Sequence, residues 1–133
     1  MKDDHDTTRD DAWPGQGFAS LTWDQGLATF REQVPKGEKT YCKVRWGKDL
    51  QIWMVEGRDF RSPNTMPDGP EKSIWGKTQK QSFFDTVNAS DATFRVLIGP
   101  MPMVGPDKDR KNDNHANAGF TFEGDQLRSF IAK

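Results

Sequence analysis

Leu50-Gln51-Ile52-Trp53-Met54-Val55-Glu56-Gly57-Arg58-Asp59-Phe60-Arg61 is the stretch on which the fold turns. Residues 50–56 place apolar side chains on both alternating faces, the pattern of a central strand covered on two sides. Gly57 ends the run, and two arginines follow at once. Upstream, residues 41–46 alternate: Cys42, Val44 and Trp46 share one face, Tyr41, Lys43 and Arg45 the other. That predicts a half-buried strand, joined to the next through the turn Gly47-Lys48-Asp49 as a hairpin. On this reading Trp46 and Cys42 are core residues, as are Trp23, Trp53 and Trp75.

Helices are predicted on either side. Thr22 and Gln25 form a T-x-x-Q capping box, and Trp23, Leu27, Phe30 and Val34 then recur as one apolar stripe until Pro35 and Gly37. Residues 75–88 read as a second helix with Phe83, Phe84 and Val87 inward. Residues 93–98 read as a third strand, and residues 125–132 as a last helix with Asp125 at its N-cap. Residues 1–20, 57–70 and 100–117 are loop, and loops of that length in a compact domain usually serve a function. Strands alternating with helices predict an α/β layered domain. The strands at 50–56 and 93–98 should share a sheet, covered by the helices at 23–34 and 75–88.

Composition narrows the function classes. The 133 residues make one domain, yet only 33% are hydrophobic and 29% are charged, a lean core that suits part of a larger domain. A net charge of -1 offers no long-range attraction to nucleic acid. One cysteine, Cys42, excludes an internal disulfide and a cysteine-based zinc site. No stretch reaches the roughly 20 apolar residues of a membrane span, and no signal-peptide core is present.

Three groups could carry chemistry. Asp3-Asp4-His5-Asp6 offers hard oxygen ligands beside an imidazole, which suits a metal site with a proton donor; a solvated acidic terminus has the same composition. Asp113-Asn114-His115 with Asn117 could bind metal or phosphate, or be a hydrophilic turn. Arg58, Arg61 and Arg45 are the third group: Arg58 and Arg61 stand at the carboxyl end of a strand, where ligands of open α/β sheets gather, and could fork onto phosphate or pin the loop by an ion pair. His5 and His115 are the only histidines.

Several of these segments together resemble the PhoD-like (alkaline phosphatase D) metallophosphatases. They are residues 30–35, 41–47 and 55–64, Met66-Pro67-Asp68-Gly69-Pro70, residues 88–94, Val104-Gly105-Pro106-Asp107 and residues 113–117. The resemblance implies a calcineurin-like α/β sandwich, a binuclear metal centre (Ca, Fe, Mn or Zn), hydrolysis of phosphate esters and, typically, export. Asp3-Asp4-His5-Asp6 is similar to the family's Asp-Asp-His segment, which makes Asp4 a metal ligand and His5 the histidine that protonates the leaving group. Arg58 matches the family's Asp-Thr-Arg segment, and Arg58, Asn114 and His115 are expected on the substrate side. Gly99-Pro100-Met101-Pro102 departs from the expected Ser-Pro-Thr-Pro. The family's other acidic segments would precede Met1, and its Gly-Asp-x-His segment would follow Lys133. The expectation is therefore the central part of a metallophosphatase domain, residues 1–133, a poor catalyst alone. Two alternatives remain: a non-enzymatic binding or structural module, and a small enzyme that assembles its ligands across a homodimer.

Overall fold

The computed structural model describes residues 2–34, 37, 39–105, 107–108 and 110–133; Pro35 and Pro106, to which the sequence reading gave parts, lie outside them. Six elements follow one another: α1 (Trp23–Gln33), β1 (Cys42–Trp46), β2 (Leu50–Met54), α2 (Gly76–Asn88), β3 (Phe94–Ile98) and α3 (Thr121–Ile131). The fold is mixed α/β. Among the described residues a three-stranded sheet has the order β1-β2-β3, with β1 antiparallel and β3 parallel to the central β2. The hairpin forms as expected, Gly47 supplying the positive φ of 62° that its turn requires. A parallel neighbour demands a crossover, and α2 provides it.

The core lies on one side of this sheet. Trp53 and Val55 of the central strand segment pack with Ile74, Trp75, Phe83, Phe120 and Leu127. The Trp53 ring meets Phe83 edge-on at 6.1 Å while its indole N–H donates to Thr86 Oγ1 at 2.9 Å, so α2 is held by both apolar and polar contacts. Phe84 and Phe130, 4.4 Å between ring centroids, join α2 to α3. The second cover is thus α3 and not α1, which packs instead on the N-terminal segment: a Cβ on Gly26 would lie 2.8 Å from the Thr7 carbonyl.

Two further expectations need correction. Trp46 is 74% exposed and Cys42 is exposed too, because the apolar face of β1 points away from the helices. On the helix side β1 and β3 present Lys43, Arg45 and Arg95 around Gln51. Ser90 Oγ donates to Gln51 Oε1 at 2.7 Å, and Arg45 pairs with Asp91 at 2.9 Å. Alternation located the faces of β1 correctly but not the side on which the helices lie. Finally, α3 begins at Thr121 and Asp125 sits inside it, 2.7 Å from Arg128. Gly124 had masked this first turn. The capping box of α1 forms as read, Thr22 Oγ1 accepting from the Gln25 amide and Gln25 Oε1 from the Thr22 amide.

Gly124 is required by crowding. A Cβ there would lie 2.5 Å from the His115 carbonyl oxygen. Helix propensity alone would make Gly124→Ala more stable by about 1 kcal/mol. The clash reverses the sign, and we expect a net loss of about 1–3 kcal/mol in urea denaturation; a rise in midpoint would contradict this packing.

Candidate functional site

The loops that leave β2 and precede α3 meet the N-terminal segment, and an ion pair seats that segment. Lys2 is fully buried, its ammonium 2.6 Å from the Asp59 carboxylate, 3.5 Å from Glu56 and 4.9 Å from the centre of the Phe30 ring. Glu56 Oε1 accepts from the amides of Gly57 (3.0 Å) and Arg58 (2.8 Å), while Gln79 Oε1 accepts from the Glu56 amide at 2.7 Å. The end of β2, the start of α2 and residue 2 are therefore one unit.

Residues 3–12 turn back on themselves: the Asp3 amide donates to Asp6 Oδ2 at 2.8 Å. His5 Nε2 then lies 3.9 Å from Asp4 and 3.8 Å from Asp10, and one ligand atom from each of the three falls within 4.8 Å of the others. Among the described residues this is the one group of three such donors. Asp10 was missed in the sequence, since Thr7-Thr8-Arg9 separates it from the acidic run. Two carboxylates and an imidazole fit a hard or borderline ion such as Mn, Fe or Zn.

Arg58 brings a second group to the same loop. Its side chain is 3% exposed and pairs with Asp11 at 3.5 Å and Asp113 at 4.0 Å, longer than hydrogen bonds. Its Nε and Nη1 have no hydrogen-bond acceptor among the described residues. Asp11 reaches it from a left-handed backbone, φ 53°. Lys111 lies 3.7 Å from Asp11 and 3.8 Å from Asp113. Burial, then a hydrogen bond shared with Asp11, pushes the Asp113 carboxyl up. Burial acts the same way on Asp11, but the Asp113 hydrogen bond and the charges of Lys111, Arg58 and Arg61 outweigh it and leave Asp11 low. Asp113, then Asp11, raises Lys111, whose ammonium also feels Asp4 and Asp10, so the two acidic groups share one field. Lys108, Arg110 and Lys111 line an open cleft of about 680 Å³ with Asp11 in its wall. Arg61 is spent on structure: it donates to Asn64 Oδ1 at 2.5 Å and the Asp113 carbonyl at 3.0 Å and covers the Phe120 ring. Burial, then the neighbouring Arg58, lowers its pKa to about 10.

The 113–115 triplet splits three ways. Asp113 faces Arg58. Asn114 stays within its loop, donating to Asp107 Oδ2 at 2.8 Å and accepting from the Ala116 amide at 2.9 Å. His115 turns into the core, 1% exposed, with Nε2 3.0 Å from Glu123 Oε2 and its ring edge-on to Trp75 at 5.8 Å. Glu123 also accepts from the Ile74 amide at 2.6 Å and from the Ser73 hydroxyl. Its carboxylate thus sits at the N-terminus of α2, where the helix dipole favours it.

Among the described residues no helix is long and apolar enough to cross a membrane. A search of the curated proteins and of the solved structures returned no match. The family model of PhoD-like phosphatases matches residues 23–132, most of the chain. A mixed α/β chain with loops converging at the end of its central strand is the class that fold and site define. The chain belongs to the PhoD-like phosphatase family. The matched span includes Arg58, Asn114 and His115 and starts beyond Asp4, His5 and Asp10.

Burial would raise the Glu123 carboxyl, but hydrogen bonds from His115 and Ser73, then the His115 charge and the Ile74 amide, hold it below its usual 4.5. A depressed carboxyl contributes stability above its unfolded pKa and loses it as pH falls through the folded value. Wild-type stability should therefore decline below about pH 4.5. Glu123→Gln should be about 1–3 kcal/mol less stable at pH 7 and flatter with pH in that window. Parallel pH profiles of the two proteins would expose an error in this assignment.

Proposed function

We propose that the chain is the central part, residues 1–133, of a metal-dependent phosphatase or phosphodiesterase domain acting on phosphate esters, with little turnover alone. The observation that carries this is the convergence of Asp4, His5 and Asp10 on one point beside a buried Arg58 that has free donors. Asp4, with Asp10, would hold the ion (Ca, Fe, Mn or Zn), and such an ion when bound supplies Lewis-acid charge at the phosphoryl group. His5, exposed at the surface of the cluster, would give a proton to the leaving oxygen. Arg58 and Lys111 would face the phosphate, a forked guanidinium beside a point charge. Asn114 and His115 would serve the substrate side by fixing Asp113 and its loop. Export belongs to the same family reading.

Low turnover follows from ligand count. Among the described residues two carboxylates, Asp4 and Asp10, would hold one ion beside His5, whereas a binuclear centre draws on more ligands. The calcineurin-like sandwich is part of the proposal and is supported by the sheet. All nine side chains on its helix-free face are apolar or Cys, a surface that a second sheet would cover.

Calorimetric titration with Mn²⁺ and Zn²⁺, together with hydrolysis of nitrophenyl phosphate, tests the reading. We expect the chain to bind one ion, Asp4→Ala to weaken binding by about 10-fold or more, and His5→Ala to keep it. Turnover should stay near background. No ion binding would favour the non-enzymatic module, and robust metal-dependent turnover after repurification would overturn the incomplete centre.

A further inference from the structure

The end of α1, the segment before β1, the loop after β2 and the start of α2 enclose a cleft of about 430 Å³, a volume suited to a small molecule. None of its described lining residues belongs to the Asp4-His5-Asp10 cluster or to the group around Arg58. Leu27, Tyr41, Phe60 and Trp75 form apolar walls, with the Tyr41 and Phe60 rings edge-on at 6.0 Å. Gly76 admits this arrangement. Its φ is 71°, and a Cβ there would lie 2.8 Å from Phe60 Cβ.

Charge in the cleft is one-sided. Arg31, Lys39 and Lys77 line it from exposed positions, and only Lys77 is shared with an acidic neighbour, Glu71 at 3.1 Å. Among the described lining residues the one carboxylate is Asp59, whose charge is met by the buried Lys2 ammonium at 2.6 Å. The start of α2 adds donors. Its first turn holds no acidic residue. Glu123 takes the amides of Ile74 and Trp75, and Ser73 Oγ takes that of Gly76 at 2.8 Å. The amides of Lys77 and Thr78 come next in the lining, and first-turn amides have no acceptor within their helix. Thr40 is an independent sign of a ligand. It lines the cleft at 9% exposure, and its hydroxyl has no hydrogen-bond partner. Buried hydroxyls are seldom left unpaired.

We propose that this cleft binds a small anion carried on a planar body, the chemistry that an aryl phosphate and a nucleotide share. The anionic group meets Arg31, Lys39 and the amides at the start of α2, with Thr40 Oγ1 as a further donor. The ring lies among Tyr41, Phe60 and Trp75. This site does not depend on the metal reading.

Calorimetric titration of the full chain in a chelator, which keeps ions from Asp4, His5 and Asp10, tests this. The probes are adenosine monophosphate, phenylphosphonate, inorganic phosphate and adenosine. One of the two ringed anions should bind about 10-fold or more tightly than phosphate or adenosine, and the tighter of the two identifies the source. Arg31→Ala combined with Lys39→Ala, both at exposed positions, should weaken that binding by about 10-fold or more. Thr40→Val should weaken it by about 3-fold or more while the thermal midpoint holds or rises, because the hydroxyl has no partner in the chain to lose. The proposal is overturned if neither ringed anion binds, or if binding survives the double variant. Adenosine at parity would remove the anion subsite, and phosphate at parity the ring subsite; either overturns it. Loss of binding in Lys111→Ala would move the ligand to the Arg58 group and overturn it too.

Discussion

The helix layer of this chain and the loop before α3 hang on one buried carboxylate. Glu123 lies in the first turn of α3 yet accepts from Ile74, Ser73 and His115, which belong to the approach to α2 and to the loop before α3. A charge buried this deeply is tolerable only with its lone pairs filled. Here a helix N-terminus and an imidazole fill them, while Lys80 lies 3.4 Å away. The helix layer that covers Trp53 is therefore oriented by polar contacts, and the aromatic packing fills the space those contacts define.

This same arrangement determines what the 113–115 loop can offer. Anchoring His115 inward, and tying the Arg128 guanidinium to the His115 carbonyl at 2.9 Å, leaves Asp113, itself buried, as the residue that pairs with Arg58 and Lys111. Core and site are then two sides of one loop. A change that loosens Glu123 should reach Asp113 through His115 and Asn114.

Much of the fold was legible because local signals were strong. The Thr22–Gln25 box, the Gly47 turn and the apolar run of β2 each acted through neighbours in sequence. The errors came where distant packing decided. Nothing within β1 says which face the helices will cover, and Trp46 ended on the bare side. Nothing near Gly124 shows that the His115 carbonyl forbids a side chain there. Of the candidate site, the acidic N-terminus and Arg58 stood out by residue type. Asp10 did not, since Thr7-Thr8-Arg9 separates it from the acidic run, and neither did Asp11 and Lys111, which meet only across the folded chain. His115 looked like a ligand because histidine is rare here, and its burial beside Trp75 could be read only in three dimensions.

The seat of Lys2 carries a chemical consequence. An amine enclosed by Asp59, Glu56 and the Phe30 ring should resist acylating reagents that quickly modify a solvent-facing lysine such as Lys77. Acylation would also erase the charge that holds residues 3–12 in place. Lys2 reactivity is thus a reporter of whether Asp4, His5 and Asp10 are assembled, and it reads that state without substrate, metal or turnover.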